Sequence, residues 1–591
     1  MKWHVFVLLL AVLGWYMFQL SFQLNFRVVF PLLSLLLSMF SSIVLAQEEG
    51  GRKDTVLTLV PEYKDQIIAN FNPYSTSSMP TTHEFMFEPL IIFNTRQNNQ
   101  PEYRLATGYK LDDDLSGISF TLRDGVQWSD GKPFTVDDVL FSFLLVKKYP
   151  ALDSHGINKW VKLVKKQSAN EIYIKLNKPN ALIAFTLVLL PIVPQHQWAF
   201  ITDPLRYANS TPIGTGPFTS IESLNQSGYL QCKNPYYWQA EQRHIDCLRY
   251  PKVINNDDFI SRIMTGEFDW TGSFIPDIER NYASFSPHFK YWLPPASTIS
   301  LFFNFKAADP ELQTLISHVE FRRAISMSIR RQFLIDIAAF GQGEVSHLAS
   351  GMSQGFEQWE DPLSNEKYQQ YMRYTPLLAK ELLDELHVRD GNNDGWRDLP
   401  SGKALELTIL TPNGWSDFDT TALLLADMLQ EVGIKVSTLQ VDFREFNERL
   451  SAGDFTAALT NYPQGPTPYK YFDSAFNSAY QAPQHPRYAK HFYKNTKIDE
   501  LLAQFPIAST PEKRQAIIYD LSNIVASKQI TVPLYNTVQF FQYNTQRFTG
   551  WFNEENPKAS PLVWPQAPER LLHVLALKPV AMKTVDIKAA L

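Results

Sequence analysis

Leu122-Arg-Asp-Gly-Val-Gln-Trp-Ser-Asp-Gly-Lys-Pro-Phe-Thr-Val-Asp-Asp-Val139 is the stretch that decides the fold class. Just before it, Gly117-Ile-Ser-Phe-Thr-Leu122 alternates apolar and polar residues, the pattern of a half-buried strand. Arg123-Asp-Gly125 then turns the chain. Thr135 follows as a helix N-cap, with Asp137 and Asp138 in the first turn of a helix expected to run to Leu145. Strand, turn and helix in close succession predict a mixed α/β protein. The rest of the chain repeats the alternation. Leu57–Val60 and Leu405–Leu410 read as strands, Glu320–Arg330 and Thr420–Glu431 as helices, and Ile434–Val436 begins another strand.

At 591 residues the chain exceeds one core and should form two to four domains. Its 45% apolar and 19% charged residues are those of an ordinary globular protein. The formal net charge is −6, and no lysine- or arginine-rich run offers a surface to nucleic acid. Residues 1–46 stand apart, with Lys2 and Arg27 as their only formal charges; without them the chain holds 52 basic and 60 acidic residues, a net of −8. From Arg27 a positive start leads into an apolar run ending at Val44 and Ala46, the pattern of an export signal cut after Ala46. The mature protein is then expected in the periplasm. No cysteine follows the cut, so no lipid anchor is expected there. The earlier apolar stretch from Trp3 to Leu20 is long enough to span a bilayer. It reads as an anchor or as sequence upstream of an initiator at Met17, and the second reading accounts better for two apolar segments in tandem.

The only cysteines, Cys232 and Cys247, read as a disulfide in an exported chain. A metal site is the weaker reading, since two thiols without neighbouring histidines do not complete a tetrahedral shell. Asp390-Gly-Asn-Asn-Asp-Gly395 begins like a calcium loop, but Ser401 stands where the bidentate glutamate belongs, so an Asx turn is expected. Gly351-Met-Ser-Gln-Gly355 matches the letters of a nucleophile elbow without the flanking strand and helix, and reads as a loop. There is no His-Glu-x-x-His metal motif and no phosphate-cradling Gly-Lys-Ser/Thr loop. Catalysis, metals and cofactors are not expected. Near the C-terminus, Trp551 and Trp564 lie in Pro/Asn/Gly-rich sequence without period. A large aromatic in such a loop is either a core plug or a flat face for a ligand.

Four stretches together resemble the family-5 extracellular solute-binding proteins of ABC importers. They are 122–139, Pro212-Ile-Gly-Thr-Gly-Pro-Phe218, Asn234-Pro-Tyr-Tyr-Trp238 and Phe321-Arg-Arg-Ala-Ile-Ser-Met327. The resemblance implies a periplasmic-binding-protein fold of the cluster C type: two lobes, built from three discontinuous mixed α/β domains, closing about a hinge. The expected pieces are 47–82, 217–310 and 545–591 for the first domain, 83–216 for the second and 311–544 for the third. Asn70–Tyr74, Gly156–Trp160, Asp269–Ile278, Pro412–Phe418 and the segment from Arg547 to Val574 further resemble family members that bind chitooligosaccharides.

That narrower resemblance implies short N-acetylglucosamine oligomers as ligand, an inner-membrane ABC permease as partner and a chitin-sensing hybrid histidine kinase as a second partner. The binding protein itself is expected to be a monomer. It implies sugar-stacking rings at Trp415 and Trp564, on facing lobes. Asp417 is implied as a hydrogen-bonding carboxylate, Asn256 as an amide contact, and Arg487 with Tyr488 as a basic–aromatic pair. Two positions depart from the pattern. Pro80 stands where an arginine is implied and Pro463 where an aromatic is. An oligopeptide ligand is the alternative within the same fold. Residue chemistry alone leaves each contact a bland reading: Trp564 as a core plug, Asp417 as a cap of the next helix. Trp551 reads as a buried anchor.

Overall fold

The structure is a computed structural model that describes residues 55–580, apart from 65, 76, 482–488 and 566. The expected export signal and the apolar segment before it lie outside the described residues. Gly117–Leu122 forms strand β5, and the helix Val136–Lys148 begins after Thr135. The Thr135 N–H donates to the Asp138 carboxylate at 2.9 Å. That buried carboxylate also accepts from the Trp128 indole at 3.3 Å and the Gln195 N–H at 2.9 Å. A buried acid is tolerated because it is hydrogen-bonded, and here it ties the turn, the helix start and a later segment together.

β5 lies in a four-stranded antiparallel sheet of order β4-β5-β7-β6, with β4 Ala106–Leu111, β6 Val161–Lys166 and β7 Glu171–Leu176. Two short pairs, β2 (Ile91–Asn94) with β3 (Gln100–Tyr103) and β20 (Phe548–Thr549) with β21 (Lys578–Pro579), lie apart from the large sheets. A seven-stranded sheet has the order β12-β19-β11-β1-β10-β9-β8. Its strands are β1 (Val56–Val60), β8 (Phe218–Asn225), β9 (Gly228–Lys233), β10 (Cys247–Pro251), β11 (Trp270–Thr271), β12 (Phe289–Trp292) and β19 (Phe541–Asn544). Cys232 and Cys247 stand directly opposite each other in the β9–β10 pair and are joined as a disulfide. The only potential metal-ligand group among the described residues includes those same two sulfurs, which the disulfide occupies.

A six-stranded sheet has the order β14-β18-β13-β17-β15-β16. Its strands are β13 (Pro295–Phe303), β14 (Glu344–Val345), β15 (Glu406–Pro412), β16 (Lys435–Val441), β17 (Ala457–Asn461) and β18 (Thr531–Val538). β15, β16 and β17 run parallel; β13 is antiparallel to β17 and β18. β13 falls inside the 217–310 piece by sequence, yet pairs in this sheet. β19 falls inside the 311–544 piece, yet pairs in the seven-stranded one.

The two large sheets are linked by two short chain passages lying side by side. One runs from β12 through Leu293-Pro294 into β13, the other from β18 through Gln539-Phe540 into β19. β12 pairs with β19 and β13 with β18, and the Gln539 N–H donates to Pro294 O at 2.7 Å. The hydrophobic cores on either side are separate clusters, one holding Trp128, Trp270 and Val563, another Leu301, Leu407 and Leu425.

Candidate ligand-binding site

β15, β16 and β17 end at the same edge of the six-stranded sheet, the edge from which β13 departs and to which β18 returns. The carboxyl ends of parallel strands are where α/β sheets receive ligands, because the connecting loops diverge there. Beyond β15, Gly414 takes a left-handed φ of 84°, and Trp415 follows as the N-cap residue of the helix Ser416–Gln430. This helix starts four residues before the sequence predicts. Asp419, not Asp417, steadies its entry, accepting from Thr411 Oγ1 at 2.7 Å and the Gly414 N–H at 3.3 Å.

Trp415 is 39% exposed and stacks on buried Phe418 (5.2 Å, 16°) and on Phe443 (5.4 Å, 22°). Phe443, just past the end of β16, stacks in turn toward buried Phe446. The outcome is a run of nearly parallel rings in which Trp415 and Phe443 are both partly exposed. Asp417 is half-buried, and burial raises its carboxyl above the usual carboxylate range. Beyond β17, Pro463 is exposed, so the edge carries a pyrrolidine ring where the resemblance implies an aromatic.

The second edge lies at the carboxyl ends of β1 and β11, which also run parallel. Trp564 is 39% exposed and its indole Nε1 donates to Gly272 O at 2.9 Å. The aperiodic Pro561–Trp564 segment is fixed by side chains from regular elements. Buried Trp270 donates to Pro561 O at 2.9 Å, and buried Arg570 to Val563 O at 3.1 Å. Asn256 opens the helix Asn256–Ile263 and accepts from the Tyr63 hydroxyl at 3.3 Å. Tyr63 also neighbours Ser273, and burial pushes its phenol up to about 12. Asn256, Tyr63, Ser273 and the Gly272–Trp564 pair therefore share one edge. Phe274 and Phe540 continue it toward half-exposed Phe340.

The structure thus brings Trp564 and Asn256 together on one edge and Trp415 and Asp417 together on the other, with the paired passages 293–294 and 539–540 leading from one to the other. No ring contact joins the two tryptophans among the described residues. Arg487 and Tyr488 lie outside the described residues. Pro80 is buried, and its carbonyl accepts from Arg570, which is itself buried and paired with Glu84 at 2.8 Å. Sequence reading missed Tyr63, Phe443 and the Phe274–Phe540 pair; an aromatic two or three residues past a strand end was the available signal. Trp551, 4% exposed, packs against Tyr543 and His573 as a buried anchor, in line with its sequence reading.

The two decoys resolve as turns. The Asp390 carboxylate accepts the Asp394 and Gly395 N–H groups at 3.1 and 2.9 Å. Ser353 is buried in an irregular segment ahead of the 3₁₀ turn Gln354–Trp359.

A profile of the bacterial extracellular solute-binding proteins, family 5 (middle region), matches residues 100–483. The chain belongs to this family. A family-5 protein is the solute-binding component of an ABC importer, and membership of a binding family rather than an enzyme family makes ligand capture its work. The periplasmic oligopeptide-binding protein of an oligopeptide ABC transporter from Thermotoga maritima superposes with a TM-score of 0.81 at 25% identity, covering 90% of this chain and all of that one. A crystal form of that protein with mannohexaose bound superposes at 0.77 with the same identity and coverage. The oligopeptide-binding protein AppA of Bacillus subtilis is 23% identical over 73% of this chain and 77% of its own length. Di/tripeptide-binding protein 3 of Pseudomonas aeruginosa is 25% identical over 66% of this chain and 74% of its own. The mixed α/β periplasmic-binding-protein fold is shared with these relatives. No helix among the described residues is long and apolar enough to cross a membrane.

Proposed function

We propose that this family-5 protein captures a short chitooligosaccharide in the periplasm and hands it to an inner-membrane ABC permease. The observation that carries the reading is the partly exposed Trp415 indole, stacked with Phe418 and partly exposed Phe443 at a sheet's carboxyl edge. A pyranose has apolar C–H faces and a hydroxyl rim, so it suits flat rings with a few polar groups around them. Asp417 and Asn256 supply an acceptor and an amide near Trp415 and Trp564 respectively. In this reading the seven- and six-stranded sheets belong to two lobes, the passages 293–294 and 539–540 are the hinge, and both tryptophans reach the ligand only on closure. Ligand then stabilises the closed state through contacts that the open state lacks. The sugar-bound crystal form of the Thermotoga relative supports a saccharide in such a cleft. Signalling through a hybrid histidine kinase belongs to the same reading; unaltered chitin-response genes after deletion of the protein would remove it.

An oligopeptide is the second reading. The names of the relatives favour it, since the Bacillus and Pseudomonas proteins are named for peptides. Thermal unfolding of the mature protein with chitobiose, chitotriose and a set of di-, tri- and nonapeptides separates the two. Ligand at about 100 times its Kd stabilises by about 2.7 kcal/mol, a readily measured rise in Tm. A rise with chitotriose and none with peptides is the expected result. A rise with peptides alone overturns the saccharide reading in favour of the second.

A further inference from the structure

We propose that Gly272 is a positioning residue, whose lack of a side chain sets where the Trp564 indole stands at the cleft edge. The inference rests on the reading of Trp564 as a ligand platform, whatever that ligand's chemistry. Position 272 follows β11 and is closed in on three sides. A Cβ built there meets Trp564 Nε1 at 3.0 Å, Phe540 O at 3.1 Å and a Val563 methyl at 3.1 Å. All three are closer than ordinary van der Waals contact, so each must give by a few tenths of an ångström.

Two of them have less room to give: Phe540 O is a backbone carbonyl in the passage between β18 and β19, and Val563 is fully buried. Buried Gln542 also bonds both neighbours of the glycine and limits how far its backbone can retreat. The Gln542 Oε1 accepts from Thr271 Oγ1 at 2.9 Å and from the Ser273 N–H at 3.2 Å, while its Nε2 donates to Ser273 O at 2.9 Å. The half-exposed indole is the neighbour with room to move. Moving it lengthens the 2.9 Å bond from Nε1 to Gly272 O, which fixes the ring's tilt. Glycine at 272 thus leaves the indole close against the backbone, with part of the ring in solvent.

The test uses the mature protein and the Gly272→Ala, Trp564→Ala and Trp564→Phe variants, singly and with Gly272→Ala combined with Trp564→Ala. The first readout needs no ligand: the indole 1H–15N resonance of Trp564, assigned by its loss in Trp564→Phe. In Gly272→Ala it is expected to shift and to exchange with solvent about tenfold faster, reporting a weakened bond to the carbonyl. An unchanged resonance overturns the proposal.

The second readout is affinity for chitotriose and for a nonapeptide, whichever binds. Gly272→Ala should weaken it about fivefold, and adding it to Trp564→Ala should cost nothing more, as expected when one residue acts through the other. Equal weakening in both backgrounds overturns the proposal, because Gly272 would then act apart from the indole. If Trp564→Ala leaves every affinity intact, the platform reading fails, and the resonance alone still decides whether Gly272 sets the ring. Should Gly272→Ala fail to fold, Trp564→Phe removes the anchoring N–H from the other side. It should weaken binding about as much as Trp564→Ala; wild-type affinity in Trp564→Phe overturns the proposal.

Discussion

Three tryptophans of this chain differ sharply in exposure. Trp415 and Trp564 each keep more than a third of their surface in solvent, whereas Trp551 is sealed among Phe541, Tyr543 and His573. Trp415→Ala should therefore cost more than about 1 kcal/mol of ligand affinity by titration calorimetry, with a far smaller change in the denaturation midpoint. Trp551→Ala should do the reverse and destabilise by about 3–5 kcal/mol. Glu360 makes a separate prediction. Its carboxyl is buried, accepts from Ser350 Oγ at 2.8 Å, and is pushed up to about 7 by burial. In the unfolded chain the same group titrates near its ordinary value of 4.5. Between those values the unfolded state has ionised and the folded state has not. The stability is fully present below pH 4.5, falls as pH rises to 7 and then levels. The loss reaches roughly 3 kcal/mol at most. Denaturant melts of Glu360→Gln against wild type at pH 4.5 and 8 should show the wild type losing ground only at the higher pH.

At the scale of elements, the letters that carry the family resemblance turn out to be architecture. Trp128 and Asp138 knit a turn to a helix. Gly214 and Gly216 pass so close to the backbone of Met86 and Phe85 that any side chain would overlap it. Buried Arg322 gathers the carbonyls of His318, Lys528 and Gln529 at the close of the helix Pro511–Lys528. The turn and helix start are legible because period and capping act over a few positions, whereas Gly214, Gly216 and Arg322 stand out only through the family resemblance, most of their partners lying far away in the sequence. The start of the helix Ser416–Gln430 was less legible, since Trp415 supplies no capping oxygen and Asp419 does the work from within the first turn. The rigidity of Pro561–Trp564 was not legible at all: its hydrogen bonds come from Trp270, Arg570 and Gly272, two of them nearly 300 residues away in sequence. The β9–β10 disulfide closes a separation of 15 residues. Replacing both cysteines with alanine should lower stability by about 3 kcal/mol by the chain-entropy account, read as a lower denaturant midpoint that added reductant no longer shifts.

Over the whole molecule, the alternation of strand and helix gave the fold class, while the assignment of strands to sheets escaped it. β13 and β19 each follow a two-residue passage between the sheets, and only their partners send one to each sheet. The same holds for the site. Trp415 and Trp564 are visible as loop aromatics, but the edge each occupies depends on strand order. If the two sheets do belong to lobes that close, ligand should protect the amides of Leu293, Gln539 and Phe540 in hydrogen exchange, along with those of 413–415 and 272–273; protection confined to one sheet's edge would count against closure. The passages have a further consequence. Residues 295–538 enter and leave through neighbouring strands of one antiparallel pair, joined at Gln539 and Pro294 by a hydrogen bond. A stretch whose two ends meet is a cassette in the sense of inheritance. Recombination could exchange that part of the protein between relatives at two adjacent joints without rerouting any chain, and so alter the Trp415 edge while the Trp564 edge descends unchanged.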